Sequence, residues 1–359
     1  MIKTLSMKIK FFFVSLFSVL LKILSKVIKK TDSTLCFDCL YDKNQEQNDA
    51  YSYFMQIKQT GCKAKYVALS AIRNQFDNHK EIIFVKNKWH FVFRYLFLIA
   101  KSKQIYTSFG LFDGLDEIFK KHCEYIFIGH GVTYIKSWVS EIYSKNKFSK
   151  ILVPTKFTFD LYKKNNLWVD KDMILSDLPR WSNLNNNTIT DEIFVFFTWR
   201  KEFLFNKANI DKYLNAIVQL IENLRKTTPR NIKISFAWHH ELHKMKISLP
   251  EIPLDVNLIR TCEISKAINS SSLLITDYSS IFWDYFYLNK PVVFYRFDFN
   301  SYSLESIDGE IMQEVKMLDD KFYNCFYDEN TTFDKINYYV INKFELEEYY
   351  KEKIKKYFW

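Results

Sequence analysis

Apolar positions in this chain recur in two periods that trade places along its length. Short apolar runs at 35–40, 65–69, 82–85, 104–107, 125–128 and 151–153 read as buried strands. The stretches between them at 49–60, 91–101 and 156–165 space their apolar residues three and four apart, as a helix with one buried face does. Strands that alternate with helices predict a parallel sheet covered on both faces. Near 177–187 the composition turns to Asp, Pro, Ser and Asn and the periodicity vanishes, which marks a linker. A second alternating set then runs through 193–197, 210–226, 232–237, 256–259, 264–269, 273–275, 280–287 and 292–295. After residue 298 the pattern loses order until 345–358, a helix with acids first and lysines last, which suits the helix dipole.

The pattern predicts an α/β protein with two doubly wound, Rossmann-like domains facing a cleft, a GT-B-like architecture. The first domain is expected at 33–180 and the second at 190–340. A C-terminal helix at 343–359 is expected to cross back to the first domain, by analogy with other proteins of that architecture.

Residues 8–30 break the alternation. An eleven-residue run from Phe11 to Leu21, apolar but for two serines, sits among lysines at 8, 10, 22, 26, 29 and 30. A spanning helix needs about 20 predominantly apolar residues, and no small-residue cleavage site follows. Residues 1–32 therefore read as an amphipathic membrane-association segment: Phe11, Phe12, Leu16, Leu20 and Leu24 enter the acyl boundary while the lysines meet anionic headgroups. The competing reading is a core helix packed on the first domain. The two differ in one expectation, since a purely interfacial segment could be removed through residue 30 with the fold nearly intact.

Composition narrows the class. In 359 residues, 48% hydrophobic and 18% aromatic is enough for two buried cores. Lys+Arg 51 against Asp+Glu 41 leaves +10, which calls for an anionic counterpart: a nucleic acid, an anionic membrane surface or a phosphate-rich substrate. No zinc-finger, RNA-recognition or helix-turn-helix signature is present, so nucleic acid is not expected as a partner. Six cysteines without a disulfide-type spacing point to a reducing cytoplasm, and Cys36 and Cys39 read as core thiols. Only six glycines occur, with no G-x-G-x-x-G and no G-x-x-x-x-G-K-[ST], which argues against dinucleotide and P-loop sites.

The candidate chemistry concentrates at 264–298. There an apolar strand ends in Thr276-Asp277-Tyr278-Ser279-Ser280, a helix follows, and Asn289-Lys290-Pro291 leads to the next strand. A hydroxyl-rich turn at the mouth of a helix offers backbone N–H groups and a positive dipole end, which suit a phosphate; the same residues also suit a plain helix cap. Two histidines follow apolar strands, where open α/β sheets place their ligands: His130 between Gly129 and Gly131, and His239 in Trp238-His239-His240-Glu241. The segment HHELH lacks the second histidine of a zinc-binding H-E-x-x-H helix, since Lys244 stands at its fifth position, and no metal site is expected.

The stretch LLITDYSSIFWDYFYLNKPVVFY resembles the signature of the CDP-glycerol glycerophosphotransferase family, which builds teichoic-acid-like polyol phosphate chains. Weaker motifs follow the family's order: His130-Gly131-Val132-Thr133 with Lys136, Leu178-Pro179-Arg180, and Thr198-Trp199-Arg200. The resemblance covers roughly residues 35–298. The sequence departs from the family at Gly129, at Asp177 and Trp181 around Leu-Pro-Arg, and at His240, where the family has proline.

The resemblance implies the GT-B fold, with the donor held mainly by the second domain and the acceptor approaching from the first. It implies a transferase moving glycerol phosphate or ribitol phosphate from a CDP conjugate to a lipid-linked or polysaccharide acceptor, with CMP leaving and no further cofactor. His130 is then the expected general base, and His239 the histidine facing the donor phosphates. Thr276, Ser279 and Ser280 are expected to donate to phosphate, with Arg200, Arg180 and Lys136 adding positive charge. Asp277 and Asp284 would cap the turn, orient a histidine or hold a ribose or polyol hydroxyl. The expected location is the inner face of the cell membrane. The rival enzyme is a GT-B glycosyltransferase acting on a nucleotide sugar for capsule or lipopolysaccharide, and the non-enzymatic rival is a membrane-bound scaffold.

Overall fold

A computed structural model of the chain describes residues 2–40, 49–76, 80–111, 114–129, 131–132, 147–164, 166–186, 190–200, 208–245, 248–260, 263–299 and 324–358, with backbone alone at 2–7, 9, 75, 208, 240 and 244. The chain divides into two compact units, with the change of unit after Asn183.

The first unit is built on a seven-stranded parallel sheet in the order β3-β2-β1-β4-β5-β6-β7. Its strands are β1 (Thr31–Phe37), β2 (Lys63–Leu69), β3 (Ile82–Val85), β4 (Ser102–Thr107), β5 (Glu124–Phe127), β6 (Lys150–Val153) and β7 (Met173–Leu175). The central β1 pairs on both sides, with Cys36 opposite Tyr66 of β2 and Tyr106 of β4. Helices α2 (Asp49–Gln59), α3 (Lys88–Arg94), α4 (Leu96–Lys101), α5 (Leu115–His122) and α6 (Lys156–Lys164) connect the strands. The single helix expected at 91–101 is two helices, because Tyr95 turns away from helical geometry at φ −113° and ψ 24°. Cys36 and Cys39 are buried, and neither is in a disulfide.

Of the two readings that the sequence offers for the amino-terminal helix α1 (Ile2–Val27), its packing supports the core helix. Val14, Phe17, Leu21, Leu24 and Ile28, spaced three and four apart, pack into the core of this unit, where Phe17 and Leu21 have no exposed surface. Phe17 stacks on Phe119 of α5 at 5.9 Å. Burying each of these two side chains stabilises the unit by about 2–3 kcal/mol. Removal of residues 1–30 would therefore open the core, which corrects the expectation of a dispensable segment. A second row, Phe12, Leu16, Val19, Ile23 and Val27, faces outward, with exposures of 37–81%. On a helix of 3.6 residues per turn the two rows lie about 140° apart. Among the described residues, no helix is long and apolar enough to cross a membrane.

The second unit holds a six-stranded parallel sheet in the order β10-β9-β8-β11-β12-β13. These are β8 (Glu192–Phe196), β9 (Lys233–Ala237), β10 (Asn257–Leu258), β11 (Leu273–Thr276), β12 (Val292–Tyr295) and β13 (Cys325–Phe326). Helix α7 (Ala208–Thr227) turns Ile217, Leu220, Ile221 and Leu224 onto the face of the sheet that carries Ile193, Val195 and Ile234. Shorter helices α8 (His240–Lys244), α9 (Ile264–Ser270) and α10 (Phe282–Tyr287) lie between strands, and α11 (Glu329–Ile341) and α12 (Glu348–Phe358) close the chain.

Lys290, just before β12, is only 4% exposed. It donates to the carbonyls of Ile268 and Asn269 at 2.7 and 2.9 Å, so an ammonium closes the carboxyl end of α9. Burial lowers its pKa from the ordinary lysine value to about 8.

Candidate functional site

Strand order in the second unit reverses between β8 and β11, since β9 and β10 extend the sheet one way and β12 and β13 the other. At such a reversal the two chains leaving the sheet diverge and open a crevice at its carboxyl edge. Thr198 and Arg200 enter that edge from β8, His239 from β9, Asp277 to Ser280 from β11, and Arg296 and Asp298 from β12.

Asp277 ties the crevice together. Its Oδ1 accepts the Thr198 N–H at 2.9 Å and the Tyr278 N–H at 2.6 Å. The Thr276 hydroxyl donates to the Phe196 carbonyl at 2.6 Å, so it is spent on the β8–β11 junction. Arg200 approaches Asp277 Oδ2 at 2.8 Å and donates from Nε and Nη2 to the two oxygens of Asp298 at 2.7 and 3.1 Å. Its Nη1 also donates to the Thr198 carbonyl, which accepts the Tyr213 hydroxyl as well.

Two guanidinium groups clasp Tyr278: Arg200 stands 5.0 Å from the ring centroid and Arg296 4.9 Å. Arg296 also donates from Nε to the Asp277 carbonyl at 3.2 Å. Both arginines are 1% exposed and Asp277 is fully buried. Burial works against the Arg200 charge, but Asp277 and Asp298 outweigh it and hold its pKa well above the ordinary value. Burial pushes the Asp277 carboxyl up, against the pull of Arg200 and the Thr198 N–H.

The candidate residues thus fall into distinct settings. Arg200 and Asp277, read from sequence as donor-binding groups, neutralise each other inside the fold. Ser279 is buried and its Oγ accepts the Ile281 N–H at 3.4 Å, while Ser280 is half-buried on the turn into α10. Asp284 is buried on α10 at 3% exposure. His239 is half-buried after β9, its ring 5.8 Å from that of Phe196.

In the first unit, Arg180 donates from its backbone N–H and from Nη1 to Asp49, at 3.2 and 2.8 Å, tying the Pro179–Asn183 turn to the first residue of α2. His130 and Lys136 lie outside the described residues. Gly129, just before His130, takes φ +74°, a left-handed conformation that favours glycine and turns the chain at the end of β5. Among the described residues no group of three His, Cys, Asp or Glu could hold a metal ion.

Sequence reasoning passed over Tyr213, Tyr278, Arg296 and Asp298. One signal was legible: Arg296 and Asp298 are charges set immediately after a fully buried apolar strand, where solvated surface charges are not expected. Nothing local marks Tyr213, which lies on α7 and meets Arg200 only in the folded unit, 5.0 Å from its ring centroid.

Residues 21–339 match the model of a family described as CDP-Glycerol:Poly(glycerophosphate) glycerophosphotransferase. A curated relative, the minor teichoic acid biosynthesis protein GgaB of Bacillus subtilis (strain 168), is 25% identical over 258 residues, 66% of this chain and 27% of that protein. The teichoic acid poly(glycerol phosphate) polymerase of Staphylococcus epidermidis is 24% identical over 198 residues, 50% of this chain and 26% of that protein. The matched portions span about a quarter of each curated relative. Among solved structures, the wall teichoic acid polymerase TagF superposes with a TM-score of 0.61 at 14% identity, over 96% of this chain and 95% of that one. That likeness establishes a GT-B-like α/β fold.

Proposed function

Because the chain belongs to the CDP-glycerol:poly(glycerophosphate) glycerophosphotransferase family, we propose that it transfers glycerol phosphate, or ribitol phosphate, from the CDP conjugate to a growing teichoic-acid-like or capsular polymer. An acceptor hydroxyl attacks the phosphorus that carries the polyol. A new phosphodiester P–O bond forms, the P–O bond to CMP breaks, and the acceptor's proton passes to His130 as general base. The observation that carries the reading is the braced Asp277–Ser280 turn at the switch point of the second sheet, within the family's longest motif.

On this reading the labour divides among the candidates. Arg200, Asp277 and Thr276 act as positioning residues that fix the turn and its neighbours. Ser279, Ser280 and His239 are the donors aimed at phosphate, with Asp284 supporting them from α10. Lys136 and Arg180 remain the further cationic candidates of their motifs. Incubation with CDP-glycerol and with CDP-ribitol, in the presence of a lipid-linked acceptor active with a known polymerase, should release CMP with one of the donors. Silence with both would sink the proposal, and turnover of a nucleotide sugar instead would install the glycosyltransferase reading.

The outward row of α1 supports attachment to the inner face of the cell membrane. Five apolar side chains lie along one helical face, with Lys8, Lys22 and Lys26 beside them and Lys29 and Lys30 just beyond its end. Such a face suits an anionic leaflet, where each nearby lysine contributes about 1 kcal/mol. Its partner is thus a lipid surface that also carries the acceptor.

A further inference from the structure

The backbone around His239 fixes which ring nitrogen carries its proton. His239 stands at the amino-terminal cap of α8 with φ −64° and ψ 135°, and its Nδ1 accepts the backbone N–H of Glu241 at 3.3 Å. A peptide N–H can only donate, so Nδ1 must present a lone pair. A neutral imidazole has one ring proton, which here belongs on Nε2. Phe196 braces the ring at 5.8 Å with an interplanar angle of 34°. Phe196 is itself held to β11, since its carbonyl accepts the Thr276 hydroxyl at 2.6 Å. Ring orientation and proton position are thus both set by the fold.

We infer that His239 works as a neutral hydrogen-bond donor, presenting Nε2–H to a phosphoryl oxygen of the donor substrate, and serves neither as a base nor as an imidazolium. A base at Nε2 would need both nitrogens unprotonated, which is the imidazolate. An imidazolium would place a proton on Nδ1 facing the Glu241 N–H and break the cap. A donor fixed in place before the reaction needs no reorganisation as charge shifts onto the phosphoryl oxygens. The donor role rests on the transferase reading, whereas the tautomer rests on the cap alone.

Two measurements test it. In the full chain labelled with ¹⁵N-histidine, the seven histidines can be separated by comparison with His239→Gln. At pH 7.5 His239 should show an unprotonated Nδ1 and a protonated Nε2; protonation at Nδ1, in either charge state, overturns the inference. In single-turnover transfer, His239→Asn keeps an acceptor near Nδ1 and should lose about 10²-fold in rate. His239→Gln keeps a donor near Nε2 and should retain at least about tenfold more rate than the Asn variant. An Asn variant as fast as the Gln variant overturns the donor role. Wild-type silence with every CDP-polyol overturns the transferase reading and the donor role with it, while the spectrum still decides the tautomer.

Discussion

Arg200→Met separates two jobs that a buried arginine can hold. In the structure the guanidinium lies 2.8 Å from Asp277 and is paired in bidentate fashion with Asp298. The side chains of Asp277 and Asp298 are 0% and 17% exposed. Methionine roughly fills the space but leaves Asp277 buried without its cation, a change that costs about 3–5 kcal/mol. Against a total stability of about 5–15 kcal/mol, that loss should be plain in urea denaturation followed by tryptophan fluorescence. If the cost comes from the stranded carboxylate, Asp277→Asn should relieve it, and the double variant should fall short of the summed single losses by about 0.5–3 kcal/mol. The donor dissociation constant is measured on the variants that remain folded. A variant within about 1 kcal/mol of wild type that has lost donor binding more than tenfold would refute the reasoning, because the guanidinium would then serve the ligand before the fold.

Lys290 should give stability a pH dependence of definite sign. Its folded pKa, about 8, lies below the ordinary lysine value of 10.5, so between those values the unfolded chain keeps a proton that the native chain has released. Stability therefore rises with pH across the window, by up to about 3 kcal/mol in all, and Lys290→Met should flatten the slope measured by denaturation between pH 8 and 10. On α1 the two rows should separate cleanly. Val19→Glu with Ile23→Glu, both positions 55% exposed, should abolish flotation with anionic vesicles while leaving the melting temperature within a few degrees. Leu21→Ala should cost about 2–5 kcal/mol of stability and leave vesicle binding in place. Loss of stability in the outward variant would refute the assignment of faces.

The long elements of the fold were legible because their apolar periods are strong. The reading of 210–226 as a helix differs from α7 by only a few terminal residues, and β3 and β12 were read at their observed bounds. What escaped was decided by tertiary context. β7 is three residues long at a sheet edge. Helix α11 reads ENTTFDKINYYVI, weak in helix propensity, and is started by Asp328, whose Oδ1 accepts the Thr331 N–H at 2.9 Å. The packing of α1 escaped for a different reason. It carries two apolar rows among its lysines and serines, and only the packed unit reveals which row is covered.

At the candidate site the motif located the turn, and the structure shows that part of it is spent on closing the sheet. The reason is common to both sheets. In the first unit strand order reverses between β1 and β4, and there Asp38 accepts the N–H groups of Ala50 and Tyr51 at 3.2 Å, the Tyr66 hydroxyl at 2.7 Å and the Ser108 hydroxyl. In the second unit the reversal lies between β8 and β11, and there Asp277 follows β11, the counterpart of β4, so it closes the junction from the other side. Where two parallel strands part, their last N–H groups lose their ladder partners, and a short carboxylate at the end of one strand can reach donors from the other. Asp38 satisfies this need with peptide and hydroxyl donors, as a helix cap does. Asp277 does so partly with Arg200, which adds a positive charge beside the Asp277 carboxylate and the Tyr278 ring. A carboxylate that would repel a phosphate alone is thereby paired with a cation inside the fold. The same aspartate can then close the sheet without leaving an uncompensated negative charge beside the turn.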